Sequence, residues 1–149
     1  MLQRIDKIDS WVQEIIKDDP VRSNLSAEFR INENAEMFAL WEKNTLGAVC
    51  CVRYTEGIPA DITEMQDMSN PFCDTVVFYT IWSYEKGSGR QLIIDATEEI
   101  KKLNTQIKNV VTLSPKTEMA EKFHIRNGAI KWRENDDSIN YAYELDMTS

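Results

Sequence analysis

No apolar run in this sequence approaches the roughly 20 residues that cross a bilayer, and the opening Met1-Leu2-Gln3-Arg4-Ile5-Asp6 lacks a signal-peptide centre. No membrane partner is therefore expected, and the expected compartment is the cytoplasm. Positive charge is scarce: 17 Lys and Arg against 25 Asp and Glu leave a net charge of −8. A surface of that sign opposes a phosphate backbone, so no nucleic-acid partner is expected. The best basic cluster, Lys101-Lys102 with Lys108, is diluted by Glu98 and Glu99 and reads as a solvated face. Cysteine is limited to Cys50, Cys51 and Cys73, with no Cys-x-x-Cys and one histidine in the chain, so neither a disulfide framework nor a metal centre is indicated. Neighbours on a strand point to opposite faces, so Cys50 and Cys51 are expected as reduced, separately packed side chains. No stretch rich in Pro, Gly or Ser divides the chain and no repeat is visible, so residues 1–149 are expected to form a single domain.

What is present is a succession of periodic segments. Ile5, Ile8, Trp11, Val12, Ile15 and Ile16 recur at helical spacing until Asp18-Asp19-Pro20 stops them. A short second helix is expected over residues 26–31. Residues 36–41 and 46–54 read as a hairpin turning at Glu42-Lys43-Asn44-Thr45. The polar, methionine-bearing stretch 56–71 is longer than a plain turn and reads as a functional loop or a short extra helix. Residues 75–83 form a strand apolar on both faces, with Val77, Tyr79 and Ile81 on one and Val76, Phe78 and Trp82 on the other, as a central strand requires. A glycine loop follows, then a helix with the stripe Leu92, Ile93, Ala96, Ile100 and Leu103, closed by Asn104. Residues 109–114 form a short buried strand, parallel to the first through a right-handed crossover. A helix then runs from Thr117 to a left-handed cap at Asn127-Gly128. Residues 129–133 and 139–145 pair at the end, with Tyr141, Tyr143 and Leu145 on one face. The class is α/β: a mixed, mostly antiparallel central sheet with a parallel pair at its centre and flanking helices.

The glycine loop is the most informative segment. A strand that runs through Glu85-Lys86-Gly87-Ser88-Gly89-Arg90 into a helix N-terminus presents free N–H groups and the positive end of a helix dipole. That is a device for holding phosphate. Gly-x-x-x-x-Gly-Lys-Ser/Thr is absent, and Leu92 stands where a dinucleotide fingerprint needs its third glycine.

The layout and these residues resemble the GNAT superfamily of acyl-CoA N-acyltransferases, from about Asn34 to the C-terminus. The family pattern Gln/Arg-x-x-Gly-x-Gly/Ala reads here Tyr84-Glu85-Lys86-Gly87-Ser88-Gly89, with both glycines in place and Tyr84 departing. A second family element, Asn-x-x-Ala-x-x-Phe-Tyr-x-x-x-Gly-Phe, is matched at Ala120, Phe123 and Gly128 and departs at Thr117, His124 and Ala129.

The resemblance implies acetyl-CoA as acyl donor, an amine on a small molecule or protein as acceptor, and direct attack in a ternary complex without a metal. It places the coenzyme A pyrophosphate on Gly87, Ser88 and Gly89, and Phe123 beside the cofactor. Lys86 and Arg90 flank the phosphates as charge support, with surface solubility the plainer reading of each. It also places backbone N–H groups near Trp82, Ser83 and Tyr84 against the thioester carbonyl. Trp82 and Tyr84 either line the channel or pack in the core. His124 falls where the family carries the tyrosine that protonates the leaving thiolate. A histidine of ordinary pKa does that readily at neutral pH, and the plain alternative is a polar residue on a helix face. No carboxylate lies between Thr75 and Tyr84, so no general base is assigned. Those departures also motivate an alternative, a catalytically degenerate GNAT-fold protein acting as a binding or structural module. Monomer and homodimer are both compatible with the sequence.

Overall fold

The computed structural model describes residues 1–146. Along the chain run β1 (Leu2–Ile5), α1 (Ser10–Ile16), α2 (Ala27–Arg30), β2 (Ala35–Glu42), β3 (Thr45–Thr55), α3 (Ile62–Asp67) and β4 (Thr75–Ser83). Then follow α4 (Ser88–Leu103), β5 (Asn109–Thr112), α5 (Glu118–Arg126), β6 (Ile130–Glu134) and β7 (Ile139–Glu144). The strands form one seven-stranded sheet in the order β1-β2-β3-β4-β5-β7-β6. β4 and β5 are parallel and every other neighbouring pair is antiparallel. The expected fold class is the observed one.

The start of the chain differs from the sequence reading. Helical spacing carried the first helix back to Ile5, but residues 2–5 instead pair with the open edge of β2, Leu2 opposite Leu40 and Ile5 opposite Met37. An unpaired edge offers a row of backbone partners that four residues of isolated helix cannot match. The segment 56–71 contains the extra helix α3, capped by the Asp61 carboxylate accepting from Glu64 N at 2.8 Å.

Two irregularities in the central strands shape the site. Leu40 pairs with Ala48 and Trp41 with Leu46, so Gly47 is an extra residue in β3. Cys51 pairs with Thr80 and Val52 with Phe78, so Tyr79 is extra in β4. An inserted residue reverses the alternation beyond it. Trp82 therefore joins Val77 and Tyr79 on one face, and Ile81 joins Val76 and Phe78 on the other. Strict alternation assigned these two side chains the opposite way.

The core lies on both sides of the sheet. On one, Val12 and Ile16 of α1 pack over Met37, Val49, Cys51 and Val77. On the other, Leu92, Ala96 and Ile100 of α4 pack over Phe38, Cys50, Val52 and Val76. Cys50 and Cys51 part to opposite faces as expected. Leu103, assigned to the apolar stripe, is 56% exposed at the end of α4. Leu145 packs on the α1 face with Ala142 while Tyr143 turns to the other side. The cause is one more inserted residue, because Val110 pairs with Glu144 and Val111 with Ala142.

Candidate active site

Glycine enters the loop between β4 and α4 for two different reasons. Gly87 is the N-cap of α4 at φ +86, a left-handed conformation that L side chains rarely adopt, and a Cβ there would meet nothing within 4 Å. Gly89 is packed instead: a Cβ on it would lie 2.7 Å from Ser83 Oγ and 3.2 Å from the Phe123 ring. Gly87 thus serves a turn and Gly89 a packing contact. The packing brings together the end of β4, the first turn of α4 and α5, the elements that carry both motifs.

Ser88 N turns back to Glu85 O at 3.2 Å and Gln91 N is bonded to Gly87 O at 3.3 Å. The first turn of a helix leaves its leading N–H groups without intrahelical acceptors, here those of Gly89 and Arg90, at the positive end of the dipole. Lys86 and Arg90 are exposed, and neither has an ion-pair partner among the described residues.

Gly47 is a site residue that the sequence reading passed over. Its carbonyl accepts from Tyr84 N at 2.7 Å and Glu85 N at 3.1 Å, and Ser88 Oγ lies 2.5 Å from where its Cβ would stand. The signal was present as a glycine inside a strand pattern. The bond also engages Tyr84 N–H, one of the donors assigned to the thioester. The Tyr84 side chain faces elsewhere: its hydroxyl accepts from Trp82 Nε1 at 2.9 Å and donates to Asp18 at 2.6 Å. Burial, then the hydrogen bond to Asp18, pushes the phenol pKa up to about 12. Trp82 and Tyr84 are thereby tied to the end of α1.

His124 is buried, stacked on Tyr141 with centroids 5.0 Å apart, and its Nδ1 is 2.7 Å from the Tyr143 hydroxyl. Burial lowers its pKa to about 4, so the ring is neutral at pH 7. The ordinary histidine pKa assumed from the sequence does not apply. Burial also raises the Tyr143 pKa. Position 124 lacks the motif's tyrosine, and β7 brings the Tyr143 phenol against the imidazole that stands there.

Where β4 and β5 part, the last bonds are Leu113 N to Phe78 O at 3.1 Å and then a side chain, Arg22. Its Nε donates to Tyr79 O at 2.9 Å and its Nη2 to Leu113 O at 3.0 Å. Arg22 is held by a buried module. Asp19 accepts from Arg30 Nη1 at 2.8 Å, Thr80 Oγ1 at 2.8 Å, and Val21 N and Arg22 N at 2.9 Å each. Burial alone would raise the Asp19 pKa; the bonds from Arg22 N, Arg30, Val21 N and Thr80 outweigh it and hold the carboxylate below its ordinary value. Beyond Thr80 no carboxylate emerges from β4, and Thr80 itself is committed to Asp19.

An open groove of about 540 Å³ runs along the outer flank of α4, lined by Arg90, Ile94, Thr97, Lys101, Asn127 and Tyr143. It joins the first turn of α4 to the phenol beside His124. Among the described residues no cluster of His, Cys, Asp and Glu is arranged to hold a metal, and no helix is long and apolar enough to cross a membrane.

Solved structures share this architecture. The Bacillus subtilis acetyltransferase in complex with CoA matches at TM-score 0.61 and 17% identity, over 97% of both chains. The Campylobacter jejuni N-acetyltransferase PseH matches at TM-score 0.64 and 11% identity, over 98% of both chains. The fold is that of the GNAT acyltransferases. At these identities the likeness is one of GNAT fold, and this chain is a divergent example of it. Malonyl-CoA decarboxylase from Agrobacterium vitis matches at TM-score 0.66 and 26% identity, over 86% of this chain and 36% of that one. The chain thus spans about a third of that enzyme's length. No family model matches the sequence, and no curated protein does.

Proposed function

We propose that the protein is an acetyl-CoA-dependent N-acetyltransferase that passes its acyl group to a primary amine by direct attack in a ternary complex. The observation that carries this reading is the junction at Gly89, where Ser83, the first turn of α4 and Phe123 are packed within contact of one another. The two motifs meet there, with the open side of Gly87 and the leading N–H groups of α4 facing the space a pyrophosphate needs. Lys86 and Arg90 supply positive charge beside that space. Anchoring the donor supplies proximity, which is a large share of the barrier in acyl transfer. The proton for the leaving thiolate comes from the His124–Tyr143 pair rather than from an imidazolium, since the ring is neutral. The acceptor amine loses its proton to solvent or a bound water, as β4 offers no carboxylate.

The test is a thermal-shift titration with acetyl-CoA. Ligand at ~100 times its dissociation constant adds about 2.7 kcal/mol of stability. No shift at millimolar acetyl-CoA overturns the reading and leaves the non-catalytic module.

The likeness to malonyl-CoA decarboxylases favours a second reading, decarboxylation of a carboxyacyl thioester at the same anchor, in which the C–C bond to the carboxylate breaks, the α-carbon takes a proton and the thioester stays intact. Release of carbon dioxide from malonyl-CoA without any amine distinguishes it from acyl transfer.

A further inference from the structure

We propose that Arg22 receives a substrate carboxylate at the parting of β4 and β5. The argument begins with charge. The buried module around Asp19 holds two guanidiniums, Arg22 and Arg30, and one carboxylate. Arg30 takes that carboxylate in an ion pair whose side chains are 0% exposed. Arg22 touches Asp19 only through its backbone N–H, and its own side chain is bonded to two neutral carbonyl oxygens. Among the described residues Arg22 has no ion-pair partner, in a chain whose net charge is −8. A partly buried charge is costly unless it is paired, so a cation left over at this place is a site prepared for an anion.

The chemistry of the anion follows from the donor. A guanidinium offers a planar fork of N–H groups that matches a carboxylate bidentately. The carbonyls of Tyr79 and Leu113 engage Nε and Nη2 and fix the plane of the fork, while Arg22 O accepting from Arg30 Nη2 at 2.6 Å fixes its backbone. The side chain is therefore preorganised, with donors to spare.

Position adds the rest. Tyr79 stands four residues before Ser83 on β4, roughly 13 Å back along the strand. A thioester arm anchored by its phosphates at the start of α4 and laid along β4 brings its acyl end toward this parting. This inference rests on that acyl-CoA reading. The carboxylate belongs either to the acyl group, as in the half-thioester of a dicarboxylic acid, or to the acceptor, as in an amino acid.

Calorimetry on the full chain separates these. If the donor carries the carboxylate, wild type binds malonyl-CoA at least tenfold more tightly than acetyl-CoA, and Arg22→Met removes the difference. If the acceptor carries it, the two thioesters bind alike, while glycine but not methylamine binds the acetyl-CoA complex, again only with Arg22 present. Arg22→Lys keeps the charge without the fork and retains a partial preference. The wild-type comparisons decide the matter even if a variant fails to fold. Equal binding of both thioesters, with no preference for glycine, overturns the proposal and leaves Arg22 a structural clasp. Absence of all thioester binding overturns the acyl-CoA reading instead. Free malonate titrated into wild type then reports on Arg22 by itself: saturable binding lost in Arg22→Met supports the anion site, and no binding sinks it.

Discussion

Gly47 of β3 and Ser88 of α4 are fitted so closely that a Cβ on the glycine would lie 2.5 Å from the serine Oγ. The fit seats the turn between β4 and α4 on the sheet, together with the bonds from Tyr84 N and Glu85 N to the Gly47 carbonyl. Gly47→Ala should cost on the order of 1–3 kcal/mol through overpacking. It should also weaken acetyl-CoA binding, since the added methyl pushes the first turn of α4 outward. Urea unfolding and calorimetry on the same preparation check both effects; an unchanged affinity would mean the turn is not the anchor.

The two loop glycines should respond differently to alanine. Gly87→Ala meets no atoms but holds an L residue at φ +86, a strain of roughly 1–2 kcal/mol. Gly89→Ala collides with Ser83 Oγ and the Phe123 ring. Combining Gly89→Ala with Ser83→Ala should recover part of the lost stability, while combining Gly87→Ala with Ser83→Ala should be additive. A double-mutant cycle by chemical denaturation measures the coupling.

His124 gives the stability a pH dependence of fixed sign. Its folded pKa, about 4, lies below the ordinary histidine value of 6.5, so the unfolded chain binds the proton more readily between those values. The contribution is fully present above pH 6.5 and is lost as the pH falls toward 4, amounting to about 3 kcal/mol at most. His124→Gln should flatten the dependence over that interval. Unfolding free energies at pH 7.0, 5.5 and 4.5 for both proteins test it, and parallel curves would show that the ring is not held neutral.

Asp19 and Arg30 form an ion pair with fully buried side chains. Replacing one member leaves the other uncompensated, so Asp19→Asn should destabilise by roughly 3–5 kcal/mol. The loss should be visible as a lower urea midpoint with an unchanged slope.

The three thiols should be silent in the native state. Cys50, Cys51 and Cys73 are all buried, and burial raises the Cys51 pKa to about 12. Titration with a thiol reagent at pH 8 should label none until denaturant is added. Rapid labelling of native protein would show that the sheet opens locally.

The sequence made the β4–α4–β5 unit legible because period, glycine punctuation and length all agreed there. β1 was hidden because its conformation is decided by the vacant edge of β2 and not by its own four residues. The bulges at Gly47 and Tyr79 are properties of pairing between strands, which one strand's alternation cannot disclose. The approach of His124 to Tyr143 joins positions 19 apart through the packing of α5 on β7. Arg22 carried no local pattern at all; its place is fixed by carbonyls 57 and 91 positions away.

The extra residue at Tyr79 acts as a selector of sides. Upstream of it the two-residue rhythm of β4 faces one way, and downstream the opposite, so the indole of Trp82 reaches Tyr84 and the end of α1 while Ile81 lies with α4. A β4 of unbroken alternation, with Tyr79 taken into the pairing, would exchange the two. The indole would be driven into the aliphatic layer under α4 and an isoleucine delivered to the rim. The composition would be unchanged, yet the wall of the site would be rewritten by pairing alone.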